Sequence, residues 1–296
     1  MNFYEKVISS VYNTPIEEFT LSEGFKLSVK RDDYSFASFG SKMRKFEGLR
    51  KRLKQENIHT VFLYGNPHSN YLATFTYLFY LSGFKTYLAS YSRDSGLITP
   101  NSLLVRKYAS QYYPCQTPFE LLKIRDSHVG ENFILDEFGM HEGSLEGLKS
   151  IWSEMDSEIE EGSLIVLDVG SGLTALSCLM YPFQNQPEIL GVSIGYPVDK
   201  MKEYLLTICE KFELQDKVIE RLSLIPASIS PGYANVNRKL KDFIKETYTR
   251  YKFPLEPIYS AKTIYSLLEY RKQISKNIRK VYYLHQGGFL NHISLL

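Results

Sequence analysis

The stretch SLIVLDVGSGLTALSCLM, residues 163–180, constrains the fold most: an unbroken apolar run meets Gly170-Ser171-Gly172, and a helical segment begins near Thr174. Such a run, closed by glycines, reads as a strand buried on both faces, which a parallel sheet covered by helices provides. The turn exposes backbone N–H groups, its glycines permit close approach, and the helix start adds about half a positive charge. The segment is therefore shaped to hold an anion, phosphate above all. A plain strand-to-helix turn is the competing interpretation.

The same alternation runs through the chain. Phe25, Leu27 and Val29 alternate with polar residues as in a half-buried strand, and short apolar runs at 61–64, 86–89, 133–135, 164–167, 189–194 and 281–284 predict further strands. Between them, Met43, Phe46, Leu49 and Leu53 recur at helical spacing, as do Leu145, Leu148, Ile151, Trp152 and Met155. Strands alternating with helices predict an α/β protein with parallel sheets. The charged segment MDSEIEEG at 155–162 marks a crossing between two open-sheet domains, a small one at 57–157 inserted into a large one made of 1–56 and 158–296.

Composition narrows the partners. With 35 Lys+Arg against 33 Asp+Glu, the formal charge of +2 gives no broad cationic surface for nucleic acid. No stretch approaches the roughly 18 apolar residues of a membrane span, and the first residues lack a leader pattern. Three cysteines without a CxxC pair, and six histidines without an HExxH pair, predict neither a disulfide framework nor a metal centre. The expectation is a cytoplasmic protein acting on a small molecule.

Four segments carry candidate chemistry. Gly170, Gly172 and Ala175 satisfy the GxGxxA dinucleotide pattern, and VLDVGSG also looks like the nucleotide-binding turn of S-adenosylmethionine methyltransferases. Both classes need an acidic residue at the end of the next strand, which here ends in Ser193, Ile194 and Gly195. A phosphate without a ribose needs only the loop. In KRDDYSFASFGSKMRKFEG, 30–48, Lys42 enters a helix beside Arg44 and Lys45, a setting that lowers an amine pKa and fixes its direction. In YGNPHSNYLAT, 64–74, Ser69 and Asn70 crown a helix start and can donate to a carboxylate or phenolic oxygen. Tyr259 precedes a helix in LEPIYSAK, and Tyr283 lies in the strand that opens into HQGG. Each also has a plain structural interpretation, as solvated lysine, helix cap or core tyrosine.

Taken in order, KRDD, GSKMRK, GNPHSN, GSGLT, EPIYSAK and HQGG resemble the pyridoxal-phosphate family of 1-aminocyclopropane-1-carboxylate deaminase and D-cysteine desulfhydrase, of the tryptophan-synthase-β-like fold, fold type II. The resemblance implies pyridoxal 5'-phosphate as cofactor, Lys42 as its Schiff-base lysine, and Gly170, Ser171, Gly172, Leu173 and Thr174 as its phosphate cup. It makes Ser69 and Asn70 the pair meeting substrate and cofactor, with His68 beside them on the substrate side. Tyr259 and Tyr283 would lie over the substrate, and Gln286 would stand near the pyridine nitrogen. It implies a lyase or deaminase releasing a 2-oxo acid and ammonia from a small amino acid, and a homodimer. The chain departs from the pattern at Ser41, Asn66 and His68, and lacks an arginine around 71–74. These changes keep open a relative that binds the cofactor without turnover, beside the methyltransferase.

Overall fold

The computed structural model describes residues 3–295. Its strands are β1 (Ile16–Thr20), β2 (Lys26–Lys30), β3 (Thr60–Gly65), β4 (Lys85–Tyr91), β5 (Gln111–Cys115), β6 (Phe133–Ile134), β7 (Ser163–Val169), β8 (Glu188–Ser193), β9 (Leu222–Pro226) and β10 (Lys280–Leu284). Its helices are α1 (Phe3–Ser9), α2 (Ser41–Gln55), α3 (Asn70–Leu81), α4 (Pro100–Tyr108), α5 (Pro118–Ser127), α6 (Glu142–Met155), α7 (Leu173–Met180), α8 (Val198–Lys211), α9 (Arg238–Tyr251) and α10 (Ser260–Tyr270).

The strands form two sheets, in the orders β1-β2-β10-β7-β8-β9 and β5-β4-β3-β6. All pairs are parallel except β1 with β2, which a short turn joins as an antiparallel edge. The apolar run at 163–169 sits centrally as β7 and is buried at every position. Its alternate residues feed opposite cores. Ile165, Leu167 and Val169 pack with α6, α7 and α8, whereas Leu164 and Val166 pack with α9 and α10. In the smaller sheet, Val61 and Leu63 of β3 pack against Phe46 of α2 and Phe75 and Phe79 of α3.

Helix α6 falls inside the small unit expected at 57–157, yet it buries Leu148, Ile151 and Trp152 in the same core as β7 and α7. We propose that the crossing back to the larger unit precedes α6 rather than following it.

The KRDD segment gains a physical explanation. At the end of β2, the Asp32 carboxylate accepts a two-pronged bond from Arg44, 2.8 Å from both Nε and Nη2, and both side chains are fully buried. Arg44 also reaches Glu154 of α6 at 2.7 Å, and Lys30 meets the same carboxylate at 2.6 Å. The network fixes α2, hence Lys42, against the larger sheet.

Candidate active site

Lys42 lies in the first turn of α2, and the preceding loop is locked onto the turn after β10. Gly40 has φ +61, and a Cβ there would stand 1.9 Å from the Gln286 carbonyl oxygen, so only glycine fits. The Gly288 N–H donates to the Ser38 carbonyl at 2.7 Å, and the Ser41 hydroxyl donates to Gln286 Oε1 at 3.0 Å. With Arg44 pinned two residues further along α2, the direction of Lys42 is set by residues about 245 positions apart. Its amine lies 6.0 Å from the Tyr259 ring centre. Desolvation lowers its pKa, and the nearby Asp168 and Glu256 oppose that shift.

A cavity of about 590 Å³ opens in front of this amine. Lys42, His68, Ser69, Asn70, Gly170, Ser171, Gly172, Thr174, Tyr259 and Gln286 all line it. At one end the GSG turn enters α7 with Gly172 in the left-handed region, φ 78, and no side chain caps the helix. Its first N–H groups are left as donors. Lys45 stands beside them, only 5% exposed, its amine 3.4 Å from Ser171 Oγ. Among the described residues Lys45 makes no ion pair, and burial, then Lys42, push its pKa down to about 7. An isolated buried cation beside an uncapped helix start fits a phosphate.

The other end is neutral. Ser69 caps α3, accepting the Leu72 N–H at 3.1 Å, so its hydroxyl hydrogen is free to donate. Asn70 Oδ1 accepts from Asn101 Nδ2 at 2.8 Å, which leaves its own amide N–H groups for the cavity. His68 Nδ1 lies 2.9 Å from Thr99 Oγ1.

Two expected residues are not at the cavity wall. The Leu173 side chain is fully buried in the core, so its place in the cup is that of a helix-start N–H. Tyr283, expected over the substrate, is fully buried behind the wall, its hydroxyl donating to Asp168 Oδ1 at 2.9 Å. Strand alternation explains this: Tyr283 faces the α9–α10 core, beneath the site. Gln286 lines the cavity, but its Nε2 donates to Asp168 Oδ2 at 2.8 Å and its Oε1 accepts from Ser41.

The sequence reading missed Asp168, Lys45, Glu256 and Tyr233. Asp168 lines the cavity, and burial raises its pKa to about 6, against the bond from Tyr283 and the charge of Lys42. It lies two residues before Gly170 at the end of β7, so the strand end itself was the signal. Lys45 was legible too, being three residues after Lys42 on the same helix face. Glu256, fully buried and raised to about 7 by that burial, accepts the N–H groups of Ile258, Tyr259 and Ser260 at 2.8, 2.6 and 2.6 Å. It thereby holds the turn that presents Tyr259. Tyr233 lines the cavity from an irregular segment and meets the Tyr259 ring edge-on at 6.3 Å. Nothing in its local sequence marked it. Among the described residues, no group of three or more His, Cys, Asp or Glu is placed to hold a metal, and no helix is long and apolar enough to cross a membrane.

The architecture of two parallel-rich sheets flanking this cavity is that of the pyridoxal-phosphate enzymes of fold type II. Its match to a solved "ACC deaminase homologue" has TM-score 0.75 at 20% identity and covers 100% of both chains. A solved pyridoxal 5'-phosphate-dependent aspartate racemase matches with TM-score 0.69 at 11% identity over 99% of this chain and 96% of its own. A curated protein of Thermotoga maritima, named "Putative 1-aminocyclopropane-1-carboxylate deaminase", is 26% identical over 94% of this chain and 95% of its own length. That match extends the resemblance read from six short motifs over almost the whole sequence. No family model matches the chain. Nothing in the site or the comparisons favours methyl transfer: β8 ends at Ser193 without a carboxylate.

Proposed function

We propose that this protein is a pyridoxal-phosphate-dependent lyase that deaminates a small amino acid, releasing a 2-oxo acid and ammonia. One observation carries the proposal: the Lys42 amine, the uncapped GSG turn and the lone buried Lys45 open onto the same cavity. These residues fit the cofactor: Lys42 would hold it covalently, and Lys45, Ser171, Thr174 and the helix-start N–H groups would take the phosphate. D-cysteine desulfhydrase-like and 1-aminocyclopropane-1-carboxylate deaminase-like chemistry both remain within this proposal. Homodimer formation and a cytoplasmic location rest on the family pattern and the composition alone.

Bound there, the cofactor would act as a sink for the electrons of a bond broken at the amino acid's α-carbon. The chain does the rest. Lys42, with its amine pKa lowered by desolvation, is suited to take a proton from one atom of the substrate and return it to another. Ser69 and Asn70 offer donors for the substrate carboxylate and orient the α-carbon. Tyr259 stands over the amine with its phenol held neutral by burial, so it can donate a hydrogen bond or a proton. Asp168 offsets the positive charge of Lys42 from beneath.

Borohydride reduction of the cofactor-loaded protein followed by peptide mapping should label Lys42. A label elsewhere, or none, overturns the assignment. A panel of D- and L-amino acids with 1-aminocyclopropane-1-carboxylate, followed by absorption and by 2-oxo acid and ammonia formation, tests the reaction. Spectral change without product would favour a binder without turnover.

A further inference from the structure

Two residues lining the neutral end of the cavity each bury a polar atom that the described residues leave without a partner. His68 Nε2 and Asn291 Oδ1 are both buried and, among the described residues, neither has a hydrogen-bond partner, although both residues line the cavity. Leaving such atoms unpaired is unfavourable, and native proteins leave few of them. Their other ends are committed. Asn291 Nδ2 donates to the His68 carbonyl at 3.2 Å, and Asn101 Nδ2 donates to the same oxygen at 3.0 Å, so the two residues are fixed relative to each other.

The open valences have defined polarity. Thr99 Oγ1 accepts the Ser102 N–H at 3.2 Å and lies 2.9 Å from His68 Nδ1, a spacing that lets the Thr99 hydroxyl hydrogen be donated to Nδ1, the arrangement we assign. The neutral imidazole then carries its proton on Nε2, a donor. Burial first, then the charge of Arg106, hold the His68 pKa below its ordinary value and keep the ring neutral at pH 7. Asn291 Oδ1 is an acceptor. Among the described residues, no Asp, Glu, Lys or Arg lines the cavity except Lys42, Lys45 and Asp168, all of which belong to the cofactor end.

Building on the function proposed above, we infer that His68 and Asn291 form the subsite for the substrate's side chain, and that this side chain ends in a neutral group that both accepts and donates a hydrogen bond. A hydroxyl or a carboxamide meets that requirement. A carboxylate would bring its charge against Asn291 Oδ1, an ammonium would find no anion, and an alkyl group would leave both atoms unpaired.

The test is spectral titration of the cofactor-loaded protein with serine, threonine and asparagine against alanine, 2-aminobutyrate, aspartate and lysine, in both enantiomers. The hydroxyl and carboxamide amino acids should bind about tenfold tighter than their alkyl counterparts, the size expected of one or two neutral hydrogen bonds. The preference should disappear in His68→Phe and in Asn291→Leu, and should survive in His68→Gln, which restores an amide donor. Should His68→Phe fail to fold, Asn291→Leu and His68→Gln still decide. Equal affinity for serine and alanine in the unmodified protein, tighter binding of aspartate, or a preference unchanged in the folded variants would overturn the subsite while leaving the lyase proposal intact. Absence of any spectral response to every amino acid would remove that proposal, and this inference with it.

Discussion

The two ends of the cavity are built on different physics. The end at β7 and α7 is ionic: Lys42, Lys45 and Asp168 meet where their ordinary charge states are opposed by burial, and Glu256 lies behind them. Its parts come from three distant stretches of the chain and are locked by Arg44, Gly40 and Gln286. The end at the start of α3 is neutral, made of hydrogen bonds among His68, Asn70, Thr99 and Asn101. Buried charges are costly to misplace, whereas a neutral hydrogen bond is worth about 1 kcal/mol. The ionic end therefore tolerates little change, and the neutral end can be rewritten to take another substrate. The resembled pattern holds at KRDD and GSGLT and departs at Asn66 and His68, with Ser41 the one departure at the ionic end.

The largest effects should come from the ionic end. Lys42→Ala should abolish borohydride labelling and reduce turnover by about 10²–10⁴-fold or more, the usual range for losing a proton-transfer group. Retained labelling would break the contrast between the ends. Ser171→Asp should weaken cofactor affinity by about a thousandfold, since like charges about 4 Å apart repel by about 4 kcal/mol at intermediate dielectric. Equilibrium dialysis measures it. Gly172→Asp is a poorer probe, because a Cβ there would stand 2.5 Å from Leu205 Cδ2 and disturb packing as well as charge.

Next in size is the anchor beneath Lys42. Asp32→Asn leaves Arg44 buried with half its charge partners, and the cost of breaking a buried pair is about 3–5 kcal/mol. Chemical denaturation should show that loss, and α3-end binding measured in the folded fraction should remain. An unchanged midpoint would mean that Glu154 alone satisfies Arg44.

How much of this was legible follows the same division between burial and exposure. The central strands β7, β8, β10 and β3 were read correctly because each is a short apolar run buried on both faces. The unread strands β1, β5 and β9 are all edges. IEEFT, QYYPC and LSLIP are half exposed, and two of them contain a proline that an edge accepts and a central strand does not. Among the residues lining the cavity, Lys42, Ser69, Asn70 and the GSG turn were legible because motif and helix start coincide. Tyr283 was misplaced because its position in a motif does not reveal the parity of a strand. Asn291 and Tyr233 reach the cavity only through the tertiary fold.

A smaller effect separates the ends by pH. Lys45, depressed to about 7, is protonated below that value and neutral above it. Anion binding favours the charged amine, so cofactor affinity should be greatest near and just below pH 7. It should then fall by up to about tenfold per unit as pH rises, until the raised pKa of the complex is passed. In the anion-free protein the sign for stability is opposite: a lysine depressed on folding loses stability as pH falls from about 10 toward 7. Lys45→Met should flatten both profiles. Amino-acid binding at the neutral end should not follow Lys45.

The smallest predicted effect concerns Thr99, which serves the neutral end twice. Its hydroxyl caps α4 by accepting the Ser102 N–H, and it lies within hydrogen-bond distance of His68 Nδ1. Thr99→Ser keeps both bonds, whereas Thr99→Val removes both at nearly constant volume. Loss of the cap should cost about 1 kcal/mol in thermal unfolding. Loss of the Nδ1 partner frees the imidazole to place its proton on either nitrogen, so Nε2 donates only part of the time. Discrimination between serine and alanine should then narrow two- to fivefold, roughly the worth of one weakened neutral hydrogen bond, with cofactor affinity unchanged. A Thr99→Val protein that loses stability but keeps its full preference would show that His68 is held by packing and that Thr99 is a helix cap alone. Matching loss of cofactor affinity would show instead that the two ends are not independent.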